Sequence, residues 1–169
     1  ISGTGGLQKQ GSGTLTLSGD NLYSGGTAIN AGTLRVGAGG ATGSLGGGAV
    51  TNNAALVFDR NNAMTVGYTI SGSGVVTQAG AGVTTLTGTN SYGGTTTISA
   101  GTLQVGSGGT TGTLGTGAVV DNAALTFNRS NAFTVSNVIS GTGTVTQQGS
   151  GTTTLAGINT YTSATTINS

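Results

Sequence analysis

Seven charged side chains are the groups of this sequence that could support acid–base or ionic chemistry. The chain of 169 residues contains no Glu, His or Cys. It therefore lacks the ligands of a typical zinc site, the thiols of a disulfide framework and the imidazole of histidine-based catalysis. A formal net charge of +1 offers no basic surface for a phosphate backbone, so we expect no nucleic-acid partner. The charged residues are Lys9, Arg35, Arg60, Arg129, Asp20, Asp59 and Asp121.

The sequence repeats itself at a fixed offset of 69 residues. The segment Ile-Ser-Gly-Thr-Gly that begins at Ile1 returns in closely similar form at Ile70 and Ile139. Copies 1–69 and 70–138 align without a gap and share 39 of 69 residues, and a partial third copy covers 139–169. A regular period of this kind predicts stacked structural units, so we interpret residues 1–169 as a single domain.

Apolar residues recur at alternate positions in each copy, which is the pattern of a strand with one buried face. Leu34 and Val36 form one such pair. Leu15 breaks the pattern because the later copies hold Thr at its position, and we expect it at a strand end or corner. The predicted inward positions are Leu7/Val76/Val145, Leu17/Leu86/Leu155, Ile29/Ile98/Ile167, Leu34/Leu103, Val36/Val105, Val50/Val119, Leu56/Leu125, Phe58/Phe127, Met64/Phe133 and Val66/Val135.

Short strands without helices are predicted from the composition. Glycine (36 residues) and threonine (34 residues) dominate, and both are poor helix formers, whereas Thr and Val suit a pleated surface. Asn-Gly and Asp-Gly, the strongest signals of tight hairpins, do not occur. We predict an all-β right-handed parallel β-helix of about seven coils of about 23 residues, with three coils per repeat. Strand starts near Leu7, Leu34, Leu56 and Val76 set this coil length.

Asparagine recurs at three positions of the repeat and arginine at one. Asparagine at a turn can bond nearby backbone and tolerate a left-handed conformation, so we expect stacked turns. Arg60 and Arg129 are the charged residues retained between copies, and we expect their guanidinium groups to bond turn carbonyls. A contact with a carboxylate or a sugar is the functional alternative for them. The recurring asparagines are Asn21/Asn90/Asn159, Asn53/Asn122 and Asn62/Asn131.

No recurring carboxylate marks a catalytic or calcium site. A glycosidase needs two neighbouring carboxylates, and calcium-binding repeats carry an Asp in every unit. Asp20, Asp59 and Asp121 each lie where the neighbouring copy holds another residue. We therefore predict no enzyme activity, catalytic residue, metal, cofactor or small-molecule substrate. No run approaches the roughly 20 apolar residues of a membrane-spanning helix, and no signal peptide begins at Ile1.

The segment from Gly13 to Gly37 resembles the passenger-associated β-strand repeat of bacterial autotransporters. It begins Gly-Thr-Leu-Thr-Leu-Ser-Gly-Asp-Asn-Leu-Tyr-Ser-Gly-Gly, and the segments 84–106 and 153–169 follow the same pattern. The stretches Leu-Val-Phe-Asp-Arg-Asn-Asn at Leu56 and Leu-Thr-Phe-Asn-Arg-Ser-Asn at Leu125 are also similar to this family. The resemblance covers essentially the whole chain.

The resemblance implies a right-handed parallel β-helix in a passenger of type V secretion, located at the bacterial cell surface or secreted. It implies a structural stalk that supports secretion, passenger folding and surface display, within a parent protein that can be an adhesin. That parent would be exported through its own outer-membrane barrel. This chain lacks a signal sequence and a barrel, so we expect it to be a fragment. Unpaired strands at its ends predict end-to-end association.

A second class of function stays open beside the stalk. A β-solenoid with flat, outward threonine ladders could bind ice or a crystalline polysaccharide. Thr14 and Thr16 would start such a ladder, but the following coils are expected to present Arg35 and Val57 next to Thr16. This interruption favours the structural stalk.

Overall fold

A computed structural model describes residues 1–168 as a stack of short parallel strands. All strand pairs in these residues are parallel, and none of the residues is helical. The chain winds through about eight turns, which confirms the predicted all-β parallel solenoid with one turn more than expected. The right-handed sense of the winding stays a prediction.

The strands are two to four residues long and are separated by Gly-, Ser- and Asn-rich turns. In chain order they are β1 (Ser2–Gly3), β2 (Leu7–Lys9), β3 (Thr14–Leu17), β4 (Leu22–Tyr23), β5 (Thr27–Ile29), β6 (Thr33–Val36), β7 (Val50–Asn52), β8 (Ala55–Phe58), β9 (Met64–Val66), β10 (Ile70–Ser71), β11 (Val75–Gln78), β12 (Val83–Leu86), β13 (Thr96–Ile98), β14 (Thr102–Val105), β15 (Val119–Asp121), β16 (Ala124–Phe127), β17 (Phe133–Val135), β18 (Ile139–Ser140), β19 (Thr144–Gln147), β20 (Thr153–Leu155) and β21 (Thr165–Ile167).

Three long sheets run along the solenoid, and two short pairs, β1–β4 and β17–β20, accompany them. The four-stranded sheet has the order β2-β5-β7-β10, and the seven-stranded sheet has the order β3-β6-β8-β11-β13-β15-β18. The six-stranded sheet has the order β9-β12-β14-β16-β19-β21. Neighbours in each sheet come from successive turns, so the backbone hydrogen bonds between strands join one turn to the next.

The 69-residue copy is not a whole number of turns. Paired residues lie 19 to 23 positions apart along the chain, and most lie 20 apart, so the predicted coil of about 23 residues is too long. Equivalent strands of the three copies, β2, β11 and β19, belong to three different sheets. One copy therefore winds through three full turns and about a third of another, which corrects the prediction of three coils per copy.

The interior is filled by rows of apolar side chains in register. Leu34, Leu56 and Val76 are neighbours in one row and are all 0% exposed. Leu15 continues this row inside the solenoid because it is paired with Leu34. Its equivalent Thr84 is also buried, at 2% exposure, between Met64 and Leu103 in the six-stranded sheet. The prediction of a strand end or corner is therefore wrong for Leu15 and Thr84, whereas Thr153 of the third copy is the first residue of β20.

Most of the predicted inward positions are buried. The core contains Leu17, Ile29, Val36, Val50, Phe58, Val66, Leu86, Ile98, Leu103, Val105, Val119, Leu125, Phe127, Val135 and Val145, together with the residues named above. Leu7, Phe133 and Leu155 are partly buried and pack against this core. Ile167 is the exception at 72% exposure, because it lies on the last strand and no further turn covers it.

Candidate functional site

Arg60 holds the long loop that follows β6. Its Nη1 donates to the carbonyl oxygen of Gly43 at 2.8 Å, and its Nη2 donates to that of Ala41 at 2.5 Å. Its Nε donates to Asn62 Oδ1 at 2.9 Å. These contacts confirm the expected bonds to turn carbonyls. The guanidinium group is therefore occupied by partners within the chain.

Arg129 repeats this arrangement one copy later and is more deeply buried. Its Nη1 and Nη2 donate to the carbonyl oxygens of Gly112 and Thr110 at 2.6 and 2.5 Å, and its Nε donates to Asn131 at 3.1 Å. The guanidinium carbon also lies 4.3 Å from the centre of the Phe133 ring, a cation–π contact. Burial lowers the pKa of Arg129 from its ordinary value. Both retained arginines therefore act as loop supports.

Lys9 points inward and takes the place that glutamine holds in the later copies. It is 6% exposed, and its Nζ donates to three main-chain carbonyl oxygens at 2.6 to 3.0 Å. Its equivalents Gln78 and Gln147 each donate Nε2 to two turn carbonyls at 2.7 to 3.2 Å. The position requires a hydrogen-bond donor rather than a charge. The replacement of Lys9 by Gln in the later copies is the sequence feature that could have revealed this role.

The three carboxylates have separate structural partners. Asp59 forms an ion pair with Arg35, whose side chain is 44% exposed. Asp20 Oδ1 accepts a hydrogen bond from the Gly43 N–H at 3.2 Å. Asp121 is fully buried, and its Oδ1 accepts from a main-chain N–H at 3.1 Å. Within residues 1–168, no group of three potential metal ligands forms a cluster.

The first set of recurring asparagines bridges successive turns. Asn90 Oδ1 accepts from the Ile70 N–H at 2.8 Å, and its Nδ2 donates to the Thr113 carbonyl oxygen at 2.7 Å. Asn21 and Asn159 make the equivalent acceptor contact in the first and third copies, at 2.7 and 2.8 Å. Each amide therefore binds the turn below, and in the first two copies the turn above as well. This confirms the prediction of stacked turns.

Three tyrosines recur two residues after these asparagines. The hydroxyls of Tyr23, Tyr92 and Tyr161 lie 2.7 to 2.8 Å from the hydroxyl of the Thr four residues later. Tyr23 and Tyr92 are buried at 2% and 0% exposure. Burial raises the pKa of Tyr92 above its ordinary value. The phenols of Tyr23 and Tyr92 are therefore paired groups of the interior, whereas Tyr161, in the last turns, is only partly buried.

One outward row of threonines was not recognised in the sequence. The row that begins at Thr16 continues to Arg35 and Val57, as predicted, and is interrupted there. On the face opposite the core, the six-stranded sheet instead aligns residues from six different positions of the repeat, of which Thr85 and Thr126 are only 8% exposed. This row comprises Thr65, Thr85, Gln104, Thr126, Thr146 and Thr166.

A cleft of about 290 Å³ opens at the last turns of the solenoid. Its lining includes Phe127, Val145, Leu155 and Ile167, which are inward positions of the repeat, and the amide of Gln147. The cleft is therefore the end of the core, left open above the last strand. No ionisable side chain contributes to it among the described residues.

Comparisons with known proteins agree on one family. The sequence pattern of the passenger-associated-transport-repeat matches residues 7–36, 76–105 and 145–169. The matched segments begin 69 residues apart and so coincide with the internal copies. No solved structure matches the chain. Residues 1–168 form no helix long and apolar enough to cross a membrane.

A curated relative carries the same type of repeat. The chain is 40% identical over 167 residues to the "Adhesin BmaC autotransporter" of Brucella suis biovar 1 (strain 1330). The match covers 83% of this chain but only 5% of that relative's length. Both comparisons indicate a cell-surface or secreted protein, as the sequence predicted. Since the repeat pattern matches half of the chain in three evenly spaced segments, the chain belongs to the passenger-associated-transport-repeat family.

Proposed function

We propose that this chain is a rigid stalk segment of an autotransporter passenger, and that its stepwise stacking supports export and display of the rest of the passenger. The observation that carries the proposal is that the retained arginines and the first set of recurring asparagines join turns or hold loops. Arg60, Arg129 and Asn90 are examples, since all of them bind main-chain groups of other turns. Polar side chains that bind other turns of the same solenoid in this way suit a spacer.

Stacking can drive folding in one direction because each turn supplies a complete edge for the next. The Asn30 N–H donates to the Lys9 carbonyl oxygen at 2.9 Å, and the Asn53 N–H donates to the Ile29 carbonyl oxygen at 2.8 Å. In a solenoid of this type the stability is approximately a sum of terms between neighbouring turns. A turn that folds outside the cell therefore opposes the return of the chain through its export channel.

The export proposal is tested by surface yield in the parent protein. Deleting residues 70–138 removes one copy and places Ile139 where Ile70 stood, so the local junction is preserved. A second variant, Leu103→Asp, keeps the full length but puts a charge at a position that is 0% exposed. The neighbouring outward change Gln104→Asp is its control. We expect reduced surface protein for the first two variants only; equal yields for all three would overturn the proposal.

A presenting role within an adhesin is supported by the printed name of the relative. We propose that the stalk positions a binding region that lies elsewhere in the parent, and that the stalk has no enzyme activity. The soluble chain 1–169, added in excess, should leave the attachment of bacteria displaying the parent unchanged. Inhibition of attachment by the chain would show that the repeats themselves bind the target.

A second candidate function rests on the outward row of the six-stranded sheet. Five of its six members are threonines, and successive members lie about 4.8 Å apart, the spacing of neighbouring strands. Such a row could match ice or a crystalline polysaccharide. Ice shaping or retention on cellulose that is lost in Thr146→Lys, at a partly exposed member of the row, but kept in Thr77→Lys on another sheet, would support this function. Absence of both activities in the unmodified chain would exclude it.

A further inference from the structure

Asp121 is a carboxyl group in the interior of the solenoid. It ends β15 in the seven-stranded sheet, beside Ile98 of β13, and is 0% exposed. Its Oδ1 accepts from the Ala123 N–H at 3.1 Å. Its Oδ2 is one of two buried side-chain oxygens in residues 1–168 that have no hydrogen-bond partner, and the other is Gln78 Oε1.

The equivalent residue of the previous copy is Asn52, which shows what this position requires. Asn52 Oδ1 accepts from the Ala54 N–H at 3.2 Å, the same contact that Asp121 Oδ1 makes with Ala123. Asn52 Nδ2 then donates to the carbonyl oxygen of Val75 at 2.8 Å, which joins this turn to the next one. The position therefore combines one acceptor atom with one donor atom.

The copies keep the same backbone around this position. The Gly74 N–H donates to the Asn52 carbonyl oxygen at 2.8 Å, and the Gly143 N–H donates to the Asp121 carbonyl oxygen at 2.7 Å. By this equivalence Asp121 Oδ2 stands in the place of Asn52 Nδ2, and the atom that corresponds to the Val75 carbonyl oxygen is the carbonyl oxygen of Thr144, one residue after Gly143. Two acceptor oxygens repel each other in an apolar interior unless one of them carries a proton.

We propose that the Asp121 carboxyl is protonated in the folded chain, donates its O–H to the Thr144 carbonyl oxygen, and thereby makes the stacking of these two turns dependent on pH. No covalent bond changes in this step; a single proton passes between the carboxyl oxygen and the solvent. The proposal is independent of the stalk function, since it concerns the solenoid alone.

No charged neighbour stabilises an ionised carboxylate at this position. The strands paired with β15, which are β13 and β18, carry no ionisable side chain, and neither do β16 and β19. Burial raises the pKa of Asp121 above its ordinary value, and the main-chain N–H groups of Ala123 and Leu125 lower it by a smaller amount. Desolvation therefore dominates, because it disfavours the charged form.

The direction of the pH effect follows from this raised pKa. A group that binds its proton more tightly in the folded state stabilises the fold fully below its unfolded pKa, which is about 3.9 for aspartate. The stabilisation is lost as the pH rises through the folded-state value. The solenoid is therefore expected to be more stable in mild acid than at higher pH, to the extent that Asp121 contributes.

The proton itself can be observed directly. The chain contains three aspartates and no glutamate, so a sample with ¹³C-labelled aspartate gives three side-chain carboxyl signals in an NMR titration. We expect the signal that is absent from Asp121→Asn to titrate above the ordinary aspartate value of about 3.9. An Asp121 signal that titrates at or below that value would overturn the proposal.

A reciprocal pair of variants tests the effect on stability. The unfolding constant of the unmodified chain, divided by that of Asp121→Asn, should rise by up to about tenfold per pH unit across the window between the two pKa values. The unfolding constant of Asn52→Asp should acquire the same pH dependence through the equivalent site. Asp20→Asn, a change at an exposed site, should leave the pH dependence of the unmodified chain unchanged. A ratio that stays constant from pH 4 to 8 would refute the pH-dependent contact.

Discussion

Replacing Arg129 with methionine should loosen the loop at residues 106–117 while the solenoid persists. The change removes charge-assisted hydrogen bonds to the carbonyl oxygens of Gly112 and Thr110, which are 2.6 and 2.5 Å long. Each hydrogen bond to a charged group contributes about 1.5–3 kcal/mol. The ring contact with Phe133 adds about 1 kcal/mol, and methionine retains an apolar stem of similar length.

We therefore expect the free energy of unfolding to fall by about 4 kcal/mol, less than a simple sum because contacts in one network are not additive. Urea unfolding followed by circular dichroism measures this loss, and amide hydrogen exchange with mass spectrometry locates it. Exchange should accelerate in 106–117 before it does in β14 or β16.

Arg60→Met is the matched control for this experiment. Arg60 makes the same loop contacts, but Met64 stands where the later copy has Phe133, so no ring contact is lost. The loss in free energy of unfolding should be about 1 kcal/mol smaller for Arg60→Met than for Arg129→Met. A loss below about 1 kcal/mol for Arg129→Met, or unchanged exchange in the loop, would refute its role as a loop support.

Three further results are expected. Phe58→Asp should unfold its turn because it buries a charge, so its melting temperature should fall well below that of Val57→Asp on the outer face. An unchanged melting curve for Phe58→Asp would contradict its inward assignment. Gly46→Ala should lower the free energy of unfolding by about 2 kcal/mol or more, because an added Cβ would lie 2.6 Å from a buried tyrosine ring. Gly40→Ala, which has open space around the added Cβ, should leave the stability unchanged in the same thermal assay. Sedimentation should show concentration-dependent association of the chain through its open end strands, and a strict monomer at all concentrations would argue against that association.

Much of the architecture was predictable because the apolar residues alternate within each copy. Leu34, Leu56 and Val76, which were used to estimate the coil, are true register partners. Leu7 is not their partner, since it pairs with Thr27 of the next turn. Thr27 is 5% exposed and faces inward with its hydroxyl on a tyrosine, so the spacing of apolar residues does not identify it as the partner of Leu7. The first step was therefore counted from Leu7 to Leu34, which lies in another sheet, and this made the estimated coil too long.

The roles of the retained arginines could also be predicted, because Arg60 and Arg129 follow strands where turn carbonyls are exposed. The inward orientations of Lys9 and Asp121 could not. Charged residues are rarely buried, and a sequence does not show that turn carbonyls surround Lys9 or that Asp121 lies beside Ile98 in the interior. The outward row that includes Thr126 was missed for the same reason as the coil length, since its members come from different positions of the copy.

The extra third of a turn in each copy has a mechanical consequence for a long passenger. Any feature that occurs once per copy, such as the loops held by Arg60 and Arg129, lies on a different side of the solenoid in the next copy. It returns to the first side after three copies. A shaft of many copies therefore has equal bending stiffness in all directions. Features that occur once per copy also form no continuous stripe along which neighbouring solenoids on a crowded cell could adhere side by side.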